Sequence, residues 1–459
     1  MSVDSSTSPP YLAEVSARNS SATVPEPERT TALAVVASCF GWGLDLFDLF
    51  ILLFVAPAVG QHFFPSHTPM LSLAGAYASF AVTLLMRPLG SALFGSYSDR
   101  LGRKRAMIFA IAGVGIATAS FGILPTVETI GIWATVLFLL LRLVQGIFVG
   151  GVVASTHVLG TESVPERWRG TMSGLIGGGG AAIGTLLASF AYMAISALFP
   201  DEEFTRIGWR FMFFCGLITS AIGLVMFRKL AESPQFQKAA AKHAEAKSAG
   251  RGEDTGSPVR ALFASRDYRN RFFVNLMLSS GAGAVYYLTA GYLPTYLKLV
   301  SKVPAAEAST LMLFGSVAGA VSSLLLGEWS QHIGRKKVFL LTGVLCLVAL
   351  PLLIVTMASA TGFSLIWHAL AISFLGSAVF GPLMIFLNER FPVELRATGT
   401  GLSWNTGFAV GGIMPTFVSL AAATPAAIPE VLAGFIGAFA LLYLLGAVIV
   451  PETKGRLKG

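Results

Sequence analysis

Twelve apolar runs punctuate the chain, at about residues 31–59, 72–94, 105–124, 132–155, 171–198 and 210–228, then 271–297, 308–328, 338–357, 364–386, 398–421 and 428–450. Each holds about 20 residues or more, the length with which an α-helix crosses a bilayer core. Helices also satisfy their own backbone groups in lipid, so apolar runs of this length read as spanning helices. The runs fall six and six around a polar stretch, 229–270, that contains the sequence AEAKSAGRGEDTGSP of a solvated linker. The pattern predicts an all-α polytopic membrane protein: a tail over 1–30, a six-helix bundle over 31–228, the linker loop 229–270, a second bundle over 271–450 and a short tail over 451–459. Residues 1–30 are rich in Ser, Thr, Pro, Glu and Ala and lack the apolar core of a cleaved signal peptide, so a disordered cytoplasmic tail is expected there.

Composition agrees with the pattern. The mean hydropathy is +0.70 and only 12% of the 459 residues are charged, about half the share found in soluble domains. An ordinary cytosolic enzyme is thereby excluded. The net charge of +8 could indicate a nucleic-acid partner, but the positions of the charges decide otherwise. With loops assigned alternately, 26 of the 32 Lys and Arg fall in the two tails and in the loops after runs 2, 4, 6, 8 and 10. The opposite loops hold Arg206, Arg210, Lys298 and Lys302, while Arg87 and Arg142 lie inside runs. The positive-inside rule then places both termini in the cytoplasm. Cys39, Cys215 and Cys346 are scattered through apolar stretches and form neither a disulfide framework nor a metal site.

The two halves repeat. After run 4 the chain reads ESVPERWRGT and after run 10 ERFPVELRAT, so Glu162, Pro165, Arg169 and Thr171 correspond to Glu389, Pro392, Arg396 and Thr398. GSYSDRLGRKR from Gly95 likewise matches GEWSQHIGRKK from Gly327, with Gly102, Arg103 and Lys104 recurring as Gly334, Arg335 and Lys336. Two motifs at nearly one offset point to duplicated six-helix halves. Transporters are commonly built from such repeats, with substrate held between them at mid-membrane.

On these residues the chain resembles the major facilitator superfamily. Gly95, Asp99, Arg100, Gly102, Arg103 and Lys104 supply the signature that joins helices 2 and 3 in that superfamily; the second copy departs from it with Gln331 in place of the acid. AESPQF after run 6 and PETKG at the end are similar to its sugar porters. GWGLDLFDLF, RPLG and RLVQGIFVGG look more like its bacterial organic-acid:proton symporters of the sialate and lactate, aromatic-acid and metabolite types. Val152 stands where the metabolite type often has an acid, and the glycine-rich run 5 lacks the proline usual in proton-coupled drug exporters.

Ionisable side chains inside spans are costly and need a partner or a task. Asp45 and Asp48 sit three residues apart near the middle of helix 1, on neighbouring parts of one face, and Arg142 sits near the middle of helix 4. The resemblance implies that an acid on helix 1 pairs with an arginine on helix 4, and Asp48 and Arg142 match those positions. Arginine stays charged in proteins, so Asp48 is the member able to titrate. Protonation of Asp48 is expected to release Arg142 for a substrate carboxylate; the alternative is a structural ion pair. Asp45 is a second proton-coupling candidate, or simply a hydrogen-bonding residue. Arg87 is expected nearer the cytoplasmic end, in a gate or folding role. Further candidates for substrate contact are Gln145, Asn275, Tyr286, Tyr287, Tyr292, His368, Trp404 and Asn405, each also readable as interhelical packing.

Gly95, Asp99, Arg100, Gly102, Arg103, Glu162, Arg169, Gly334, Arg335, Glu389 and Arg396 form an expected cytoplasmic gate. In it Asp99 bonds the start of a neighbouring helix or Arg169, and Glu162 with Arg169, like Glu389 with Arg396, ties the halves together. Gly174, Gly177 to Gly180 and Gly184 allow close helix crossing; no Gly-Lys-Ser/Thr follows them, so no nucleotide site is expected. No nucleophile, metal cluster or cofactor fingerprint is apparent. The expectation is a monomeric secondary transporter importing a small organic anion, a mono- or aromatic carboxylate, by proton symport. The alternatives are a sugar or polyol symporter or facilitator, an exporter, and a sensor that binds solute without moving it.

Overall fold

In the computed structural model the described residues are 27–457 apart from 67–68, 201, 229–231, 233–235, 238–240, 242–256, 304 and 423. The expected first tail and most of the linker loop lie outside them. Among the described residues, long helices follow one another where the apolar runs predict them: α1 (Pro27–Phe63), α2 (Pro69–Leu101), α3 (Arg103–Ile123), α4 (Ile132–Glu162), α5 (Arg169–Gly174 and Gly180–Leu198), α6 (Trp209–Arg228), α7 (Arg266–Tyr286 and Leu293–Leu299), α8 (Ala305–Ile333), α9 (Arg335–Met357), α10 (Gly362–Ala378 and Leu383–Glu389), α11 (Arg396–Ala421) and α12 (Ile428–Ile449). Eleven of these are long and apolar enough to cross a membrane. The twelfth, α11, carries Thr398, Thr400, Ser403 and Asn405 on buried positions. It tolerates them because the face that carries them packs against α2, α4 and α7.

The helices α5 and α7 are broken by wide π turns, Leu175–Gly179 and Tyr287–Gly291, and α10 is interrupted between Ala378 and Leu383. Such irregular backbone is tolerated at membrane depth where it is buried in protein or lines a cavity.

The duplication read from the motifs is visible in the packing. α2 of the first half crosses α11 of the second, and α8 of the second crosses α5 of the first. Both crossings are close because a glycine sits at each. A Cβ on Gly95 would lie 2.8 Å from Cα of Thr398, and one on Gly327 would lie 2.5 Å from the carbonyl oxygen of Gly170.

The turns into α3 and α9 repeat as well. Gly102 has φ 110 and ψ 150, and Gly334 has φ 104 and ψ 155, a region open almost only to glycine. Each turn presents the first N–H groups of its helix to a glutamate from the end of the same half. Glu232 of AESP accepts from the N–H groups of Arg103 at 3.0 Å and Lys104 at 3.1 Å. Glu452 of PETKG accepts from those of Arg335 at 2.9 Å and Lys336 at 3.1 Å. The two porter-like motifs are therefore helix caps, with a carboxylate on the positive end of a helix dipole. Glu452 lies outside the spans; burial opposes its charge, but four backbone N–H bonds, with Lys454 first, outweigh that and hold its pKa below the usual carboxylate value.

A Cβ on Gly334 would meet Oε2 of Glu452 at 2.4 Å. Gly334→Ala is expected to lose about 1–3 kcal/mol through backbone strain and to lower the melting temperature of the purified protein. An unchanged melting curve would show that the cap is dispensable.

Candidate functional site

The polar residues between the halves form layers. Helix α1 rises from the basic face, so Trp42, Asp45 and Asp48, three residues apart, stand about 4.5 Å above one another.

The uppermost layer holds Asp48, which is buried. Thr118 of α3 donates to its Oδ1, and Gln145 of α4 donates from Nε2 to its Oδ2 at 2.6 Å. The same Nε2 lies 3.0 Å from Thr118 Oγ1. Arg142 donates from Nη1 to Oε1 of Gln145 at 2.7 Å. The expected direct pair between Asp48 and Arg142 is thus replaced by a bridge. Gln145 stands one turn along α4 from Arg142 and offers its carbonyl to the cation and its amide N–H to the carboxylate. The guanidinium meanwhile lies over Phe121, 4.3 Å from the ring centre, and over Phe138 at 5.1 Å. These ring contacts supply a cation–π attraction of about 2 kcal/mol when desolvated and draw Arg142 away from Asp48. Its Nε and Nη2 are buried with no hydrogen-bond partner among the described residues.

One turn toward the basic face, Arg87 of α2 donates from Nη1 and Nη2 to the two oxygens of Asp45, both at 3.3 Å. Asp45 and Arg87 are buried side chains, at 0% and 4% exposure, so Arg87, expected nearer the cytoplasmic end, instead pairs with Asp45 deep between the helices. Tyr287 of α7 stands within electrostatic range of both charges and packs edge-on to Phe80 of α2, with ring centres 6.4 Å apart.

Below this pair lies an aromatic layer that joins the halves. Trp42 and His157 meet edge to face at 4.9 Å, Trp42 and Trp404 at 5.8 Å, and Trp404 stacks on Phe408 at 4.0 Å. Phe380 and Tyr286 extend the layer, 4.7 Å apart. Asn405 reaches across from α11 to Ser91 Oγ at 2.5 Å. Sequence reasoning missed Trp42, His157, Phe380 and Phe408. His157 has a signal, since it is ionisable inside a span; the apolar run ends at 155, whereas helix α4 continues to Glu162.

Three candidates stand elsewhere. Asn275 lies near the basic face, where its Oδ1 accepts from Arg390 at 3.3 Å. His368 is near the opposite end of α10, bonded to the carbonyl of Ser364 at 2.6 Å and to Thr356 at 3.0 Å. Tyr292 is buried at the break in α7.

The basic end is closed by contacts between the halves. Asp99 accepts from the N–H groups of Ala397 at 3.1 Å and Thr398 at 2.9 Å, at the start of α11, and pairs with Arg103 at 2.9 Å. Gln331, where the second motif lacks its acid, makes the equivalent contact, accepting from Gly170 N–H at 3.1 Å at the start of α5. Arg103 also donates to the carbonyl of Val393 across the interface at 2.6 Å. The expected pairings of the paired motifs are exchanged. Glu162 binds Arg396 at 2.5 Å, Glu389 binds Arg335 at 3.2 Å, and Arg169 donates to the carbonyl of Leu457 at 2.8 Å. Glu162 ends α4 and Arg396 begins α11, so the α4 and α11 contact brings them together while Arg169 is turned toward the tail. Arg100 is exposed in the last turn of α2.

Comparisons with known proteins agree with this architecture. The chain is 30% identical over 92% of its length to the inner membrane metabolite transport protein YhjE of Escherichia coli K12, covering 94% of that protein. It is 28% identical over 93% of its length to the proline/betaine transporter of the same organism, covering 85% of it. Among solved structures, the proton:xylose symporter XylE superposes with a TM-score of 0.75 at 17% identity, over 93% of this chain and 97% of that one, which shows a shared fold. The profile of the Major Facilitator Superfamily matches residues 39–416. The chain belongs to the Major Facilitator Superfamily and is a multi-pass membrane transporter, not an enzyme.

Proposed function

We propose that the protein is a proton-coupled secondary transporter that imports a small carboxylate-bearing metabolite by alternating access, with both termini in the cytoplasm. The observation that carries this reading is the buried chain Asp48, Gln145, Arg142, in which an arginine is linked to a carboxylate through one amide and keeps two nitrogens unbonded. While Asp48 is ionised, its charge compensates Arg142 through the glutamine. When Asp48 takes a proton from the outer side, the negative pole disappears and the guanidinium becomes an uncompensated charge in a medium of low dielectric. A substrate carboxylate then binds Nε and Nη2 in the two-pronged geometry that guanidinium favours. Proton and anion each lower the free-energy cost of the other, and this reciprocity is the coupling.

Opening toward the cytoplasm separates Asp99 from α11 and Glu162 from Arg396, and this cost holds the transporter closed until the loaded site favours the change. Asp48→Asn removes the titrating group and preserves the shape. In proteoliposomes it is expected to lose accumulation driven by a pH gradient and to retain exchange of labelled for unlabelled substrate. Accumulation that persists would remove Asp48 from the coupling.

A second reading concerns the substrate's other end. The rings of Trp404, Phe408, Phe380 and Tyr286 form one layer that meets Trp42, three residues before Asp45 on α1, and aromatic faces attract substituted ammonium groups. Together with the relatives named proline/betaine transporters, this favours a zwitterion that carries both a carboxylate and an ammonium group. Glycine betaine and 3,3-dimethylbutanoate share shape and carboxylate but differ in the cation. The zwitterion reading predicts preferred uptake of betaine by at least about tenfold, equivalent to about 1.4 kcal/mol; a plain anion site would prefer dimethylbutanoate.

A further inference from the structure

A second concentration of charge lies inside the second half at the basic face, apart from the Asp48 and Arg142 layer. A cavity of about 640 Å³ opens between the start of α7, the end of α10 and the C-terminal tail, lined by Asp267, Arg271, Glu389, Arg390, Arg396 and Arg456 among others. Its acids are already engaged. Glu389 accepts from Arg335 and from Thr453, and Asp267 is bonded by Arg271 at 2.5 Å. Arg396 is spent on Glu162. Arg390 and Arg456 have no carboxylate partner among the described residues, and the Arg390 guanidinium is fixed only by the bond from its Nε to Asn275 and by the ring of Phe386 at 5.8 Å.

The position is costly without an anion. Arg390 is half-buried and outside the spans; burial first, then the neighbouring charges of Arg271 and Arg456, push its pKa down to about 10, against the opposing pull of Asp267. Arginines held together in a cleft form a recognition geometry for phosphate oxygens. The depth suits a headgroup, because basic pockets between helix ends on the cytoplasmic side are where anionic lipids dock.

We propose that this cavity binds an anionic phosphate group, from a lipid headgroup or a soluble phosphate compound, through Arg390 and Arg456, with Arg271 beside them held by Asp267 and by the carbonyl of Arg390. The bound anion fixes the tail. That tail also spans the two halves, since Thr453 bonds Glu389 in the second and the carbonyl of Leu457 accepts from Arg169 in the first. Occupancy therefore stabilises the state closed at the basic face, and the site is regulatory and separate from substrate.

The test uses the full-length protein, stripped of lipid and reconstituted in nanodiscs of phosphatidylcholine with or without phosphatidylglycerol. Native mass spectrometry reads retained phosphatidylglycerol, and calorimetry with inorganic phosphate in the phosphatidylcholine discs reads soluble anion. The wild type is expected to hold one of the two at least about tenfold more tightly than the Arg390→Gln/Arg456→Gln double variant. Arg206→Gln, an exposed arginine in a loop of the opposite face, should match the wild type. Lipid retention without phosphate binding identifies the headgroup as the source, and saturable phosphate binding identifies a soluble ligand. Should the double variant fail to fold, Arg456→Gln alone, on the exposed tail, is read by the same two measurements. Equal retention and equal calorimetry in wild type and variant, or no binding of either probe by the wild type, overturns the proposal.

Discussion

A charge in the low-dielectric interior of this protein cannot stand alone, and that constraint organises the space between the helices. Removing an ion from water costs several kcal/mol even after relaxation, yet Arg103, Arg142, Arg335 and Arg396 are among the largest fully buried side chains. Arg103, Arg335 and Arg396 have carboxylates in contact, as has Arg87. Arg142 differs. Its charge is held by an amide oxygen and two aromatic rings, a weaker compensation that a substrate can improve. The proposed substrate contact is at Arg142 because the pairing there is incomplete.

The same constraint explains how the duplicated halves lock. Helices α2 and α8 each deliver a polar side chain to the first N–H groups of a helix in the other half, Asp99 to α11 and Gln331 to α5. The first contact places a full negative charge on a helix start and the second only a dipole, so the two latches are unequal. The glutamates of AESP and PETKG serve within their own halves, capping α3 and α9 over glycines whose positive φ strains any larger residue. The closed basic end is thus a pseudo-twofold arrangement in which one side is more firmly held.

Much of the fold was legible because it is written locally. Apolar runs of spanning length and two repeated motifs predicted the helices, their order and the duplicated halves, and the crossings of α2 with α11 and α5 with α8 agree. The candidate site was less legible, because contacts depend on side-chain directions and helix ends. Asp48 and Arg142 do share a depth, but Gln145 stands between them, and nothing in the spacing says whether a residue one turn away bridges or merely lines. Glu162 could meet Arg169 or Arg396 with equal chemical sense; the crossing of α4 with α11 decides. His157 escaped notice through its position two residues beyond the apparent end of an apolar run, where the helix in fact continues.

In the proposed mechanism substrate and proton arrive together because binding an anion at Arg142 drives a proton onto Asp48. Infrared difference spectroscopy on the reconstituted protein, with and without a transported carboxylate at a pH where the free site is ionised, reads this directly. Substrate is expected to produce a protonated-carboxyl stretching band and an equal loss of a carboxylate band, both missing in the Asp48→Asn protein. A substrate-induced spectrum with no new protonated carboxyl, or with the band still present in that variant, would contradict it.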